Sequence, residues 1–369
     1  MSLPTTDASD DPHIVGIMIG LLTRAGGEHL SVRLAAFDAL CSVARNAAGQ
    51  IRSRWSAVDS ALRTALKDGN EGIRAASMKV LEQYAHSCAT SEDPDQQRYA
   101  CLTFALGISN DEDPAAKAAA CRTLGVKERN HSHNSRPLTA ALQDMFFLID
   151  VAAIVPKHVL DPALNVRTRA SWALANVCDA LVSIRESHSE EESVSLEDAG
   201  VTDEVLIALI RAGLASAKDN DKCRSNGVRA LGNIVRICPR PVLLREAERF
   251  VKEIVGAVIK NVENGGVKAR WNACYAITNM LRTPFFPMGR STWTAPLLTS
   301  LCTAVSCRNF KVRIAAAGAL AAPTAREMYG TRENLRAVVR GVVDAFESID
   351  EMGDVGFGEY KYREQLVLQ

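Results

Sequence analysis

The side chains most able to do chemistry here are ten cysteines, seven histidines, and a set of amides and flat side chains at helical spacing. The cysteines stand at 41, 88, 101, 121, 178, 223, 238, 274, 302 and 307. None forms a CxxC pair, so a dithiol redox centre is not indicated. Cys302 and Cys307 are five apart on an expected helix and read as core residues. His131 and His133 form an HxH with Cys121 not far upstream. No fourth ligand follows at zinc spacing, and the stretch reads as a polar loop. The chain holds no GxGxxG, P-loop, HExxH or GxSxG. No Ser–His–Asp set or carboxylate pair can be argued from spacing. The reading is a non-enzyme with no cofactor and no metal site. Thiols scattered through apolar helical stretches behave as small hydrophobes, which fits a reduced cytoplasmic or nuclear protein.

The remaining chemistry is that of recognition. In "RWNACYAITNM" (270–280), Tyr275 and Asn279 lie four residues apart. On a helix, Lys268, Asn272, Tyr275 and Asn279 share one face, while Ala273, Cys274, Ile277 and Leu281 form the opposite one. If the apolar face packs inward, the polar stripe is expected to look outward. The same register gives Lys222, Asn226, Arg229 and Asn233, and before it Asn165, Arg169, Trp172 and Asn176. An Asn amide carries both donor and acceptor groups and can pair with one peptide unit of an extended ligand. Trp, Tyr and Arg beside it can form slots for ligand side chains. The alternative is that the amides bond neighbouring backbone and hold the fold together. The stripe bears Arg169, Lys222, Arg229 and Lys268 without an acid, which favours an acidic ligand.

These residues are positioned by a repeat. Seven stretches follow one pattern: "SVRLAAFDAL" (31–40), "GIRAASMKVL" (72–81), "AAKAAACRTL" (115–124), "NVRTRASWAL" (165–174), "KCRSNGVRAL" (222–231), "KARWNACYAI" (268–277) and "KVRIAAAGAL" (311–320). Each carries a base at its third position and closes on Leu or Ile. Most successive starts lie 41 to 50 residues apart, with one spacing of 57. A period near 40–47 with two helices per unit is the mark of HEAT or armadillo arrays. Partner helices are expected at 52–67, 138–155, 205–217 and 250–262, where apolar residues recur with helical period. The predicted fold class is all-α, a right-handed α-solenoid of HEAT/armadillo-type helical repeats. The Asn register is Ser42, Gln83, Val126 and Ala322 in the other repeats, so the amide ladder is local to repeats four to six.

Asp68, Asp111 and Asp161 each precede a third-position base by six residues. They predict structural pairing of caps with those bases. Residues 1–12 and the acidic, Ser-rich stretch 185–203 are expected to be mobile. Residues 13–369 are expected to form one solenoid of about seven helix pairs and a truncated eighth, whose last helix continues past Gln369. The chain has 43 basic and 43 acidic residues, so no bulk charge draws it to nucleic acid or membrane. The apolar run 14–22 is too short to span a bilayer.

"ASWALANV" (170–177), "GVRALGNIV" (227–235) and "ACYAITNM" (273–280) resemble the third helices of armadillo repeats in the importin-alpha family. That resemblance implies that Trp or its substitute and Asn, four apart, grip an extended peptide. The family groove is acidic, and this stripe is not. A longer resemblance, over "KCRSNGVRALGNIV" (222–235), "KARWNACYAITNM" (268–280), "NFKVRIAAAGALAAP" (309–323) and "REMYG" (326–330), is to the C-terminal part of the HEAT repeat-containing protein 6 family. It implies a large helical-repeat protein without enzymatic chemistry. The expected function is a protein–protein interaction scaffold whose concave groove binds a protein or extended, acidic peptide. The competing expectation is an adaptor associated with nucleic acid or nuclear transport through the basic stripe. A membrane or small-molecule partner is not expected.

Overall fold

The computed structural model describes residues 13–23, 29–89, 96–125, 138–187, 200–283 and 285–351. The expectations for residues 1–12, for His131 and His133, for the body of the acidic stretch and for the last eighteen residues lie outside these. Among the described residues every regular element is helical. No helix among them is long and apolar enough to cross a membrane. The chain divides into two compact units: residues 1–140 with 161–173, and residues 141–160 with 174–369.

In the first unit α1 (Ile14–Thr23) packs on α2 (Leu30–Asn46). The expected helix 52–67 is broken at Arg54 into α3 (Ala48–Ser53) and α4 (Trp55–Leu66). α4 packs on α5 (Glu71–Ala89), and α6 (Gln96–Ile108) on α7 (Pro114–Leu124). The second helices stack in sequence, α2 on α5 and α5 on α7. This is solenoid construction: each pair buries its apolar face against the next. Phe37, Leu40, Leu81, Tyr84 and Phe104 lie fully inside. The helix starts are chemically marked. At α7, Asp113 accepts the N–H of Ala115 and Pro114 occupies the first turn.

The third-position bases stitch this unit together. Arg33 pairs with Asp68 at 2.5 Å, Arg74 with Asp113 at 2.5 Å, and Lys117 with Asp161 at 2.6 Å. The carboxylates therefore serve the preceding repeat's base rather than the one six residues ahead. For Arg74 the partner is Asp113, not Asp111, which instead accepts the Asp113 N–H. The base six residues ahead reaches back to the loop's carbonyl. Arg74 donates to the Asp68 carbonyl at 2.9 Å and Arg167 to that of Asp161 at 3.0 Å.

α8 (Leu138–His158) lies almost wholly in the second unit, and α9 (Leu164–Ser187) is divided after Ala173. Downstream come α10 (Asp203–Lys218), α11 (Asp221–Ile237), the short α12 (Arg240–Leu243), α13 (Arg245–Asn264) and α14 (Val267–Arg282). Then follow α15 (Thr294–Val305), α16 (Phe310–Leu320), a 3-10 turn at Arg326–Tyr329 and α17 (Arg332–Glu351). α10, α13 and α15 run beside α11, α14 and α16, and the latter three stack in order. Asn220 and Asn309 cap α11 and α16 through their side-chain oxygens. The stack is close because small residues face each other. A Cβ on Gly232 would sit 2.7 Å from the Ala276 Cα, so only glycine fits where α11 meets α14.

Candidate functional site

The polar stripe read from the sequence resolves into two classes of residue. Asn165, Arg169 and Trp172 belong to the first unit; Asn176 and the remaining eight belong to the second. In the first unit Asn165 and Arg169 are exposed and Trp172 is half-buried. Trp172 is not an open slot, because the Arg122 guanidinium covers its ring at 3.7 Å from the centroid. Glu82 lies in the same charged cluster. Burial pushes its carboxyl up, opposed by Arg169 and Arg122.

In the second unit the expectation that the amides look outward is wrong. Asn176, Asn226, Asn233, Asn272 and Asn279 are all buried, with Asn279 5% exposed. They are spent on the fold. Asn272 Nδ2 donates to the Ser225 carbonyl at 2.7 Å, and Asn279 Nδ2 to Asn233 Oδ1 at 3.4 Å. Asn233 Nδ2 donates to Asp179, and Arg229 Nη2 donates to Asn176 Oδ1 at 2.5 Å. Asn226 bonds only its own helix, at the Lys222 carbonyl. The stripe is also not free of acid: Asp179 lies 3.9 Å from the Arg229 guanidinium. Buried amides are costly unless paired, and inter-helix pairing satisfies them.

The error is one of phase. At 100° per residue, Asn272 and Asn279 sit about 40–60° beyond Tyr275 around α14, on the flank that packs against α11. The solvent face is centred on Val267, Trp271 and Tyr275, which are 50%, 43% and 52% exposed. Lys222, Lys268 and Arg282 are exposed beside it, and Arg229 is half-buried. Trp271 escaped sequence reasoning because it fell outside the Asn register. Its signal is the four-residue spacing Val267–Trp271–Tyr275, with large flat apolar groups where solvent-facing polar residues are usual.

Tyr275 and Asn279 also border a cavity of about 480 Å³, which Arg185, Arg236 and Arg282 line together with Val182 and Phe285. These arginines come from α9, α11 and α14. Arg185 Nη1 donates to the Arg236 carbonyl at 2.7 Å, which holds its guanidinium at the end of α11. None of the nine cysteines with described side chains forms a disulfide, and seven of them are buried. Burial pushes the Cys121 and Cys274 thiols up to about 12. No group of three or more His, Cys, Asp or Glu among the described residues is placed to hold a metal ion.

No protein-family model matches the chain. It is 25% identical over 377 aligned positions to an uncharacterized protein from Dictyostelium discoideum, with 73% of this chain covered. The chain spans about a quarter (24%) of the length of that curated relative. Among solved structures, an engineered protein aligns over 72% of this chain and 95% of its own, at 17% identity and a TM-score of 0.47. A computationally designed armadillo repeat protein for modular peptide recognition covers 84% of this chain and 100% of its own, at 16% identity and a TM-score of 0.42. A designed armadillo repeat protein in complex with the peptide (KR)4 aligns at 15% identity over 84% of this chain and 98% of its own, with a TM-score of 0.40. Scores below 0.5 assign no shared function, and the repeat architecture rests on the chain's own helix contacts.

Proposed function

We propose that the chain is a non-enzymatic interaction scaffold that binds an extended segment of a partner protein along α14. The observation that carries this is the exposed strip of Val267, Trp271 and Tyr275 on a helix whose other faces are buried. Large aromatic groups left in water are costly, and Trp, Tyr and Arg are the residues that dominate protein interfaces. Lys222, Lys268 and Arg282 flank the strip, which favours an acidic segment. The amides of α11 and α14 are buried and bonded within the stack, so this differs from a ladder in which Asn grips the peptide backbone. Membership of the HEAT repeat-containing protein 6 family is part of the proposal and rests on the motif resemblance. Thiols that form no disulfide, seven of the nine described being buried, support a reduced cytoplasmic or nuclear setting.

The test is binding of the full chain to arrays of acidic and basic peptides. Trp271→Ala with Tyr275→Ala is expected to remove binding of the acidic set while leaving the melting temperature near that of the parent, because exposed substitutions cost about 0.5 kcal/mol or less. Unchanged binding by the double variant would overturn the assignment.

A further inference from the structure

We infer that Cys307, in the turn before α16, is an oxidation site whose sulfinate takes the place of the aspartate that ties successive repeats together in the first unit. Cys307 stands six residues before the third-position base Arg313, as Asp68 stands before Arg74 and Asp161 before Arg167. It also makes the same local bonds. The Asp68 and Asp161 carbonyls accept from Arg74 and Arg167, and the Cys307 carbonyl accepts from Arg313 Nε. Asp68 Oδ1 accepts the Asn70 N–H at 2.9 Å, Asp161 Oδ1 the Ala163 N–H at 2.8 Å, and Cys307 Sγ the Asn309 N–H at 3.5 Å. What the thiol lacks is the second oxygen, with which Asp68 and Asp161 meet the preceding repeat's base, Arg33 and Lys117. For Cys307 the preceding base is Arg270 on α14. Arg270 is half-buried, donates Nε to the Val262 carbonyl at 2.8 Å, and has no carboxylate partner among the described residues.

The reduced site is short of negative charge. Arg313, whose Nε points at residue 307, is 3% exposed, and its Nη1 has no hydrogen-bond partner among the described residues. Burial pushes this guanidinium down, and the Cys307 thiol opposes that push. A buried cation without a counter-charge is costly. Apart from burial, the Cys274 thiol one turn on from Arg270 is influenced by both Arg270 and Cys307, which places the two around one point of the α14–α16 contact. Cys307 is partly exposed, and partly exposed thiols beside cations are the ones that react. Cys302 is partly exposed too, but burial pushes its thiol up with no cation to oppose it. The oxidant is a hydroperoxide. The sulfur attacks one peroxide oxygen, an S–O bond forms, the O–O bond breaks, and the thiol proton leaves in the water or alcohol released. A second peroxide repeats the transfer on the sulfenic acid. Sulfur gives up two electrons at each step and each peroxide takes two. The sulfinic acid then loses its proton, leaving one negative charge over two oxygens. One oxygen keeps the Asn309 N–H and the other faces Arg270, as in a carboxylate.

The experiment treats the full chain with limiting hydrogen peroxide, maps the products by peptide mass spectrometry and compares melting before and after. Two oxygens are expected on Cys307 before any on Cys302. The oxidised chain should melt about 2 °C higher than the reduced one, and Cys307→Asp should reproduce that rise without peroxide. Cys307→Ser should gain nothing from the treatment. Measured against Arg270→Gln alone, the rise from oxidation or from Cys307→Asp should vanish in the Arg270→Gln background; in Arg313→Gln it should shrink. Hydrogen exchange should place the added protection at the starts of α14 and α16. Equal oxidation of Cys302, a Cys307 that stops at sulfenic acid or a disulfide, a Cys307→Asp chain that melts at or below the parent, or a rise that survives Arg270→Gln would each overturn the proposal. Peptide binding along α14 stands or falls separately, since it is read by the peptide arrays.

Discussion

Arg229 on α11 reaches across 53 residues of sequence to Asn176 on α9, donating Nη2 to its Oδ1 at 2.5 Å. The same guanidinium faces Asp179, which also accepts from Asn233, which in turn accepts from Asn279 on α14. Three repeats are thus joined by one polar network along their shared flank. Asp179→Ala would leave both Arg229 and Asn233 without this acceptor. It is expected to lower stability by about 1–3 kcal/mol, the cost of stranding partly buried donors. Chemical denaturation checks this, with Lys268→Ala as a neutral surface control. Equal effects from the two would mean that the network contributes nothing.

The contact between α11 and α14 should tolerate no side chain at Gly232. Gly232→Val would place its Cβ 2.7 Å from the Ala276 Cα, on backbone that cannot move aside cheaply. A loss of about 1–3 kcal/mol or more is expected from overpacking. In hydrogen exchange the loss should appear first in α11 and α14, since repeat arrays yield locally. Uniform loss across both units would contradict this.

The first unit should weaken in acid. The Asp68 carboxyl is held below its ordinary range by the Asn70 N–H and by Arg33. For Asp113, burial raises the carboxyl, but Arg74 and the Ala115 N–H outweigh it and the net direction is down. A carboxyl depressed in the folded state contributes stability that is present above the unfolded value, about 3.9, and is lost as pH falls through the folded one. Melting of the parent should therefore drop steeply below about pH 4. An Asp68→Asn, Asp113→Asn variant should be less stable at neutral pH and show a flatter acid limb. Parallel pH profiles would rule this linkage out.

Glu82 should behave in the opposite sense. Burial raises its carboxyl despite Arg169 and Arg122, so the ionised form disfavours folding at neutral pH. Glu82→Gln is expected to raise the melting temperature near pH 7 and to change little below about pH 4, where the parent carboxyl is already protonated. A variant destabilised at pH 7 would show that the attraction to the arginines outweighs burial.

Thiol labelling should sort the cysteines by depth. Cys302 and Cys307 are partly accessible, whereas Cys121, Cys178 and Cys274 are buried and their thiols are pushed up by that burial. Maleimide footprinting of the native chain near neutral pH should modify the first two quickly and the other three only at the rate of local opening. Rapid labelling of Cys178 would contradict the packing of α9.

The repeat was legible in the sequence because it is written in short-range terms. A base at a fixed position, an apolar face at helical period and Asp, Asn or Gly at the turns define each helix pair without reference to distant residues. That Asn176, Asn233 and Asn279 share one register could likewise be read from spacing alone. Whether the register faces water could not. Asn279 and Tyr275 differ by about 40° around α14, and that angle decides whether an amide is buried against α11 or exposed beside Trp271. Sequence spacing fixes angles between residues on one helix but not the zero from which they are measured, which depends on how neighbouring helices dock. The partners of Asp68 and Asp113 were missed for the same reason, since each lies one repeat away rather than one turn away. Arg236 and Arg282 each follow a register Asn by three residues, whereas Arg185 follows Asn176 by nine, so spacing alone does not put the three around one cavity. Only tertiary packing brings them to one cavity.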